Sequence, residues 1–232
     1  MKRLILSVLA MGLFAVTPGL AQDRPVVVEL FTSQGCSSCP PADRILAELT
    51  DRDDVIALAL HVDYWDYIGW EDAFADPQHA ERQRAFFNDT ATTEIYTPEM
   101  IVNGQIDIVG AKPMKLSRAI EQQKALPVTV ALAIARDGDV IKIDATALQE
   151  SQGPFTVHLL RYSPKASTKI KRGENAGHTF DYHNIVNNWV VLAQWDGTGP
   201  LDLSTPVSGA QPVVVLIQQS GAGPIVAAAR VK

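Results

Sequence analysis

The chain of 232 residues contains only two cysteines, Cys36 and Cys39. A second cysteine pair is missing, which argues against a structural zinc site, because such a site needs four ligands. A large cluster of lysine and arginine is missing too, and the net charge at pH 7 is −6. The composition therefore gives no indication of a nucleic-acid partner. Internal repeats and low-complexity tracts are also absent, so the chain is read as an ordinary globular protein.

Long apolar runs are scarce, and one of them opens the chain. The run LILSVLAMGLFAV follows Lys2 and Arg3 and precedes the small residues Gly19 and Ala21. It is too short for a comfortable membrane span, and its flanks are typical of a secretory signal peptide. We expect residues 1–21 to be removed, leaving an exported protein, periplasmic or secreted, with no stable membrane anchor. A retained anchor helix is the alternative.

The chain from residue 22 to 126 alternates between strand and helix patterns. The valine-rich run Pro25–Phe31 and the apolar run Val55–Val62 are typical of buried strands, and the segment between them has helical spacing. Asp76-Pro77 predicts a helix start, and Asn103-Gly104 predicts a hairpin turn. A last helix is predicted near residues 112–126. The expected order is β-α-β-α-β-β-α, which indicates an α/β domain.

From residue 127 to 232 the helical pattern largely disappears. Asp137-Gly138 predicts a second hairpin, and four further apolar segments are separated by glycine-rich turns. We expect this half to be a separate, antiparallel β-sandwich of about seven strands.

The two cysteines follow a predicted strand and precede a predicted helix. A helix start favours the thiolate, so we expect Cys36 to be exposed there as the attacking sulfur, with Cys39 one turn on as the resolving thiol. A structural disulfide is the alternative, but it would close a very short loop and gain little stability. The spacing and its context favour redox chemistry.

Several stretches resemble a known family. ELFTSQGCSSCPPAD, HVDYWDYIGW, ERQRA, YTPEMIVNG and RGENAGHTFDYHN are similar to those of the DUF1223 family of exported, thioredoxin-like proteins. The resemblance implies a thioredoxin-like N-terminal domain, a cis Pro98 beside the cysteines, and Thr97 offering its backbone to a substrate. Gly35 and the Ser-Ser pair depart from typical thioredoxins, which leaves the direction of electron flow open.

An aromatic segment follows the second predicted strand. Tyr64, Trp65 and Trp70 lie at the carboxyl end of that strand, where ligands bind in open α/β sheets. We predict that they contact the substrate. The alternative is a loop buried against the C-terminal half.

Glu29 stands among valines in the first predicted strand. A buried carboxylate near a dithiol could carry the proton of the resolving cysteine. The alternative is a structural pair with an arginine such as Arg82.

Two polar clusters receive a structural interpretation. His178, Asp181 and His183 have poor spacing for a metal site, so no metal is expected there. The basic cluster Lys169–Asn175 is interpreted as a solvated face.

The segment Phe86–Thr97 is a poor continuation of the preceding helix, since it is rich in threonine. It resembles a translated sequencing-adapter string, and we predict that part of it is a read artefact.

These patterns together predict an exported thiol–disulfide oxidoreductase. It needs no cofactor, because the dithiol carries the electrons. Its partners are a protein or small-molecule substrate and a second redox protein that recharges it. The alternatives are a binding module with a local disulfide and, less favoured, a Cu(I) carrier.

Overall fold

The computed structural model describes residues 24–87, 95–149 and 153–232. The predicted signal peptide lies outside the described residues. So do residues 88–94, which form most of the segment interpreted as a read artefact.

Three α-helices and eleven strands form the described part of the chain. The first half contains β1 (Val26–Thr32), α1 (Pro40–Leu49), β2 (Val55–His61), a 3-10 turn (Asp66–Ile68), α2 (Pro77–Ala85), β3 (Glu99–Val102), β4 (Ile106–Val109) and α3 (Pro113–Lys124). The second half contains β5 (Val130–Asp137), β6 (Val140–Ala147), β7 (Phe155–Lys169), β8 (Thr179–Trp195), β9 (Leu201–Pro206), β10 (Val213–Gln219) and β11 (Ile225–Val231). The order of elements as far as α3 is the predicted one.

Local sequence signals place the element boundaries. Asp76 caps α2 by accepting a hydrogen bond from the Gln78 amide, and Pro77 is the first helical residue. Asn103 and Gly104 turn the β3–β4 hairpin with φ values of 48° and 67°. Both angles are positive, as this tight turn requires.

The predicted fold class is wrong. The structure is mostly β, and one mixed sheet of eight strands crosses both halves of the chain in the order β11-β10-β7-β8-β2-β1-β3-β4. Only β5, β6 and β9 form a second sheet. The chain is therefore not an α/β thioredoxin-like domain joined to a separate β-sandwich.

The connection between the halves is made at β2. Ala59 of β2 pairs in parallel with Ile185 of β8, and the Asn184 side chain donates to the Ala57 carbonyl oxygen at 2.8 Å. All seven residues of β2 are buried. A strand buried to this extent needs a neighbour on each edge, and β8 provides the second one.

Three apolar clusters cover the two faces of the large sheet. On one face, α1 and α3 pack over the first strands, and the three-stranded sheet packs beside them on β7, β10 and β11. The other face carries a core that includes Phe31, Leu58 and Leu216, with α2 against it. Within the described ranges, no helix is both long and apolar enough to span a bilayer.

Candidate functional site

The two cysteines form a disulfide in the cysteine loop (residues 33–39), which joins β1 to α1. Cys39 is the N-cap residue of α1, and Cys36 precedes it by three residues. The exposed fraction is 1% for Cys36 and 0% for Cys39, while Ser37 and Ser38 between them are exposed. The expectation of an exposed Cys36 is therefore wrong for the disulfide form.

A hairpin from the C-terminal half covers the disulfide. The end of β7 and the start of β8 extend from the large sheet across α1, and their connection forms the arm tip (residues 170–178). Asn175 of the arm tip is buried, and its Nδ2 donates to the carbonyl oxygens of Gln34 at 2.9 Å and Cys36 at 3.0 Å. This contact ties the arm tip to the backbone of the cysteine loop, in which Cys36 is buried.

Gln34 connects the cysteine loop to both neighbouring segments. Its Nε2 donates to Thr168 Oγ1 at 3.4 Å, and its Oε1 accepts a hydrogen bond from Trp70 Nε1 at 2.8 Å. Its backbone amide donates to Asp72 Oδ2 at 2.8 Å. The cysteine loop is thus held by the end of β7 and by the aromatic loop (residues 62–76), which follows β2.

The aromatic loop lies beside the cysteine loop, as predicted, but its three predicted substrate contacts differ in environment. Trp65 and Trp70 are half-buried, and a side chain added at Gly35 would meet Trp65 at 3.2 Å. Tyr64 turns away and donates to Gln83 of α2 at 3.1 Å. Tyr67 is 82% exposed and stacks on Trp65. The surface of this loop near the disulfide therefore belongs mainly to Trp65 and Tyr67.

Thr97 and Pro98 lie at the same edge of the sheet. The Thr97–Pro98 peptide bond is cis, and Pro98 is buried. Phe31 of β1 pairs with Glu99 of β3 in the antiparallel sense. Pro98 therefore lies beside Thr32, the last residue before the cysteine loop. Thr97 Oγ1 accepts a hydrogen bond from Trp65 Nε1 at 2.7 Å. The structure thus brings Thr97 and Pro98 together with the aromatic loop.

Glu29 forms a structural ion pair with Arg82, the second of the two interpretations of this residue. It is fully buried, and Arg82 of α2 donates to its two carboxylate oxygens at 2.5 and 3.0 Å. The Arg82 guanidinium also lies over the Trp189 ring at 4.1 Å and donates to Gln218 at 3.2 Å. Glu29 therefore anchors α2 to the large sheet. It has no part in the polar network around the cysteines.

A polar cluster that the sequence did not single out lies beneath the start of α1. Asp43 accepts a hydrogen bond from Thr32 Oγ1 at 2.8 Å, and burial raises the pKa of Asp43 to about 6. His61 Nδ1 donates to Asp72 Oδ2 at 2.7 Å, and both side chains are buried. His61 Nε2 is also buried and has no hydrogen-bond partner.

Of the residues that the sequence analysis did not predict, Asp43 has a signal in the sequence and Asn175 has none. Asp43 follows Cys39 by four residues, which is one helical turn. Asn175 belongs to the stretch interpreted as a solvated face, where its neighbours Lys171 and Arg172 are exposed. Only its contacts to residues more than 130 positions earlier distinguish it from them.

Metal coordination finds no support in this region. Among residues 24–87, 95–149 and 153–232, no three side chains of the His, Cys, Asp or Glu type are arranged to hold a metal ion. Asp181 instead pairs with Lys165 at 2.8 Å and accepts a hydrogen bond from Ser167.

Comparison with known proteins places the chain in a family. The family model described as "Protein of unknown function (DUF1223)" matches residues 27–218. A crystal structure of a protein from Agrobacterium tumefaciens is similar, with 30% identity, a TM-score of 0.77, and coverage of 91% of this chain and 96% of that one. HBP35 of Porphyromonas gingivalis shares the fold at 16% identity, with a TM-score of 0.61 and coverage of 90% and 74%. The curated proteins contain no match. This chain belongs to the DUF1223 family.

Proposed function

We propose that this protein is an exported thiol–disulfide oxidoreductase that exchanges disulfides through Cys36 and Cys39. The observation that carries the proposal is the position of the disulfide. It joins residues three apart at the start of α1, where the positive end of the helix dipole favours a thiolate. A disulfide closing so short a loop adds little to stability, so stabilisation alone is a weak reason for it.

The burial of Cys36 sets a condition on this activity. A substrate sulfur needs direct access to the sulfur that it attacks, and the arm tip prevents this in the disulfide form. The cover is shallow, because Ser37 and Ser38 are already exposed and Asn175 contributes two hydrogen bonds. We therefore infer that the arm tip moves away before exchange begins.

Cys36 is the attacking sulfur and Cys39 the resolving one in this proposal. Cys36 lies in the loop and is followed by two exposed serines, whereas Cys39 is the N-cap residue of α1. The dithiol itself carries the two electrons, so the reaction needs no bound cofactor. A second thiol–disulfide protein restores the starting redox state. The substrate is a protein or small-molecule thiol or disulfide, and exchange occurs in the oxidising compartment outside the cytoplasm.

Trapping of mixed disulfides tests the proposal. The Cys39→Ser variant, expressed with its N-terminal segment, keeps the attacking sulfur and lacks the resolving one. We expect covalent adducts on Cys36 that disappear on addition of reductant. The matched control is Cys36→Ser, which leaves only the Cys39 sulfur at the helix start and is expected to give few adducts. A Cys39→Ser protein that stays free of adducts, with an unreactive Cys36, would refute exchange.

Burial of both cysteines favours a second candidate, a binding module in which the disulfide is structural. The recognition surface would then be the aromatic loop, with Tyr67 as its most exposed ring. This candidate predicts that the Cys36→Ser, Cys39→Ser double variant binds its ligand as the unmodified protein does. The third alternative, a Cu(I) carrier, depends on two free thiolates, and titration of the reduced protein with Cu(I) tests it.

A further inference from the structure

We propose that Asp43 accepts the proton of the Cys39 thiol during exchange, and that the His61–Asp72 pair positions and balances this carboxylate. The inference rests on the proposed thiol–disulfide exchange, and it replaces Glu29 as the proton carrier. Four independent observations support it.

The first observation is the shared face of the sheet. Thr32 of β1 pairs in parallel with His61 of β2, so the two side chains point to the same face. Alternate residues of the same strands, Leu30 and Ala59, belong to the core beneath α1. Thr32 and His61 therefore point towards the start of α1.

The second observation is the placement of Asp43 on α1. Its backbone amide donates to the Cys39 carbonyl oxygen at 3.1 Å, so the two residues are one helical turn apart on one side of the helix. Its Oδ1 accepts the Thr32 hydrogen bond at 2.8 Å, which turns the carboxyl group towards the sheet. The carboxyl group thus lies on the side of α1 that faces the sheet, one helical turn beyond the resolving cysteine.

The third observation is the incomplete hydrogen bonding of His61. Asp72 Oδ2 accepts hydrogen bonds from the Gln34 amide and from His61 Nδ1, which fixes the ring orientation. The remaining nitrogen, Nε2, is buried without a partner. An unpaired buried ring nitrogen is costly, and a role beside the Asp43 carboxylate would account for it.

The charges around Asp43 come from every element packed against it. Burial is the largest influence and raises its pKa to about 6, while His61 of β2, Thr32 of β1 and Arg44 of α1 lower the pKa and Asp72 of the aromatic loop raises it. Tyr182 of β8 faces the same cluster, and burial, together with the charges of Asp43 and Asp72, raises the pKa of its phenol. His79 of α2 donates to the His61 carbonyl oxygen from below. Asp43 therefore changes charge near neutral pH, as a proton acceptor must.

The fourth observation is a path to solvent. A cavity of about 310 Å³ lies between α1 and β8, and Asp43 is on its wall together with Pro40, Arg44, Phe180, Asp181 and His183. A proton taken up by Asp43 can leave through this cavity without passing the arm tip.

The proposed step balances as follows. Cys36 is joined to the substrate in a mixed disulfide, and the Cys39 thiol gives its proton to the Asp43 carboxylate. The Cys39 thiolate attacks Cys36 Sγ, the bond between Cys36 and the substrate sulfur breaks, and the substrate leaves as a thiolate. The dithiol loses two electrons and the substrate disulfide gains them. Asp43 then releases its proton to water.

Reaction of the reduced protein with Ellman's reagent, followed in a stopped-flow instrument from pH 5 to pH 8, separates the two halves of this chemistry. The first coloured thiolate reports attack by Cys36, and the second reports resolution by Cys39. In the unmodified protein, the rate of the second release is expected to rise as the pH passes about 6. Asp43→Asn is expected to remove this rise and to slow the second release at pH 7 by at least about tenfold. The first release is expected to be nearly unchanged.

Further variants keep the test decisive. Asp43→Glu is expected to restore part of the rate, and His61→Gln is expected to move the rise to higher pH, because His61 lowers the pKa of Asp43. The matched control is Asp137→Asn, which alters an exposed carboxylate paired with Lys142 in the β5–β6 hairpin and is expected to keep the unmodified profile. Equal second-release profiles for Asp43→Asn and the unmodified protein would overturn the inference. If neither release occurs in the folded, unmodified protein, the proposed exchange itself fails.

Discussion

Removal of the Asn175 side chain is the most direct test of the cover over the disulfide. In the Asn175→Ala variant, the carbonyl oxygens of Gln34 and Cys36 lose donors that lie at 2.9 and 3.0 Å. Each such hydrogen bond contributes about 1 kcal/mol net, so the closed arm tip loses about 2 kcal/mol relative to the open one. A free-energy change of this size raises the population of the open state about 30-fold.

The rate of disulfide reduction measures this population. The oxidised protein is mixed with a large excess of a small phosphine or dithiol reductant, and samples are quenched with an alkylating reagent and weighed by mass spectrometry. If reduction proceeds through opening of the arm tip, the variant is expected to be reduced about 30-fold faster than the unmodified protein. The matched control is Asn187→Ala, which removes an exposed asparagine of β8 that donates to Ser163 Oγ at 2.9 Å.

The reduction rates distinguish local opening of the arm tip from other routes to the disulfide. A faster reduction in Asn175→Ala, with the control unchanged and the free energy of global unfolding altered by no more than about 2 kcal/mol, supports local opening. Equal reduction rates for Asn175→Ala and the unmodified protein would refute the arm tip as the barrier. Access to Cys36 would then be controlled by the aromatic loop or by global unfolding.

Three other substitutions test the surrounding structure. Arg82→Met leaves the buried Glu29 carboxylate without its partner, so the free energy of unfolding, measured by chemical denaturation, is expected to fall by about 3–5 kcal/mol. Recovery of stability in the double variant Arg82→Met, Glu29→Gln would assign the loss to the unpaired charge. The double substitution Cys36→Ser, Cys39→Ser is expected to lower the free energy of unfolding by no more than about 2 kcal/mol, and a much larger loss in urea titrations would favour a structural disulfide. Asp43 keeps its proton up to about pH 6 when folded and loses it near pH 4 when unfolded, so its contribution to stability declines between these values. Asp43→Asn is therefore expected to gain stability relative to the unmodified protein from pH 4 to pH 7, by up to about 3 kcal/mol, whereas parallel stability curves for the two proteins would contradict the raised pKa.

The local elements of this protein could be predicted from the sequence. The prolines before α1, the Asp76 cap of α2 and the Asn103-Gly104 turn each act on the few residues beside them. Their effects depend on backbone dihedral angles and on nearest hydrogen bonds, which a short window of sequence contains. The predicted order of elements from β1 to α3 is correct for this reason.

Side-chain periodicity was less informative where a helix is only partly covered. Within the helix predicted near residues 112–126, Ile120 is buried, whereas the apolar residues Met114 and Leu126 are exposed. The side chains that cover a helix come from distant segments, so its own spacing cannot show how wide the buried stripe is.

The sheet to which each strand belongs was decided by the tertiary structure alone. An apolar run such as that of β2 shows that a strand is buried, but the run does not name its neighbour. The expected division into two separate units was wrong because the pairing of Ala59 with Ile185 joins residues 126 positions apart. Similarly, the sequence predicted Glu29 as a buried carboxylate, either as a proton carrier or as the partner of an arginine such as Arg82. The position of α2 against the sheet decided for the ion pair with Arg82.

The sequence by itself determined where the two cysteines stand, between β1 and α1, and that they are close enough to join. Only the tertiary structure decided that Cys36 is covered and that Asp43, His61 and Asp72 gather beneath the helix start. The physical reason is the range of the interactions. Strand, turn and cap preferences act over a few residues, whereas the cover depends on Asn175 reaching a carbonyl group 139 positions earlier in the chain.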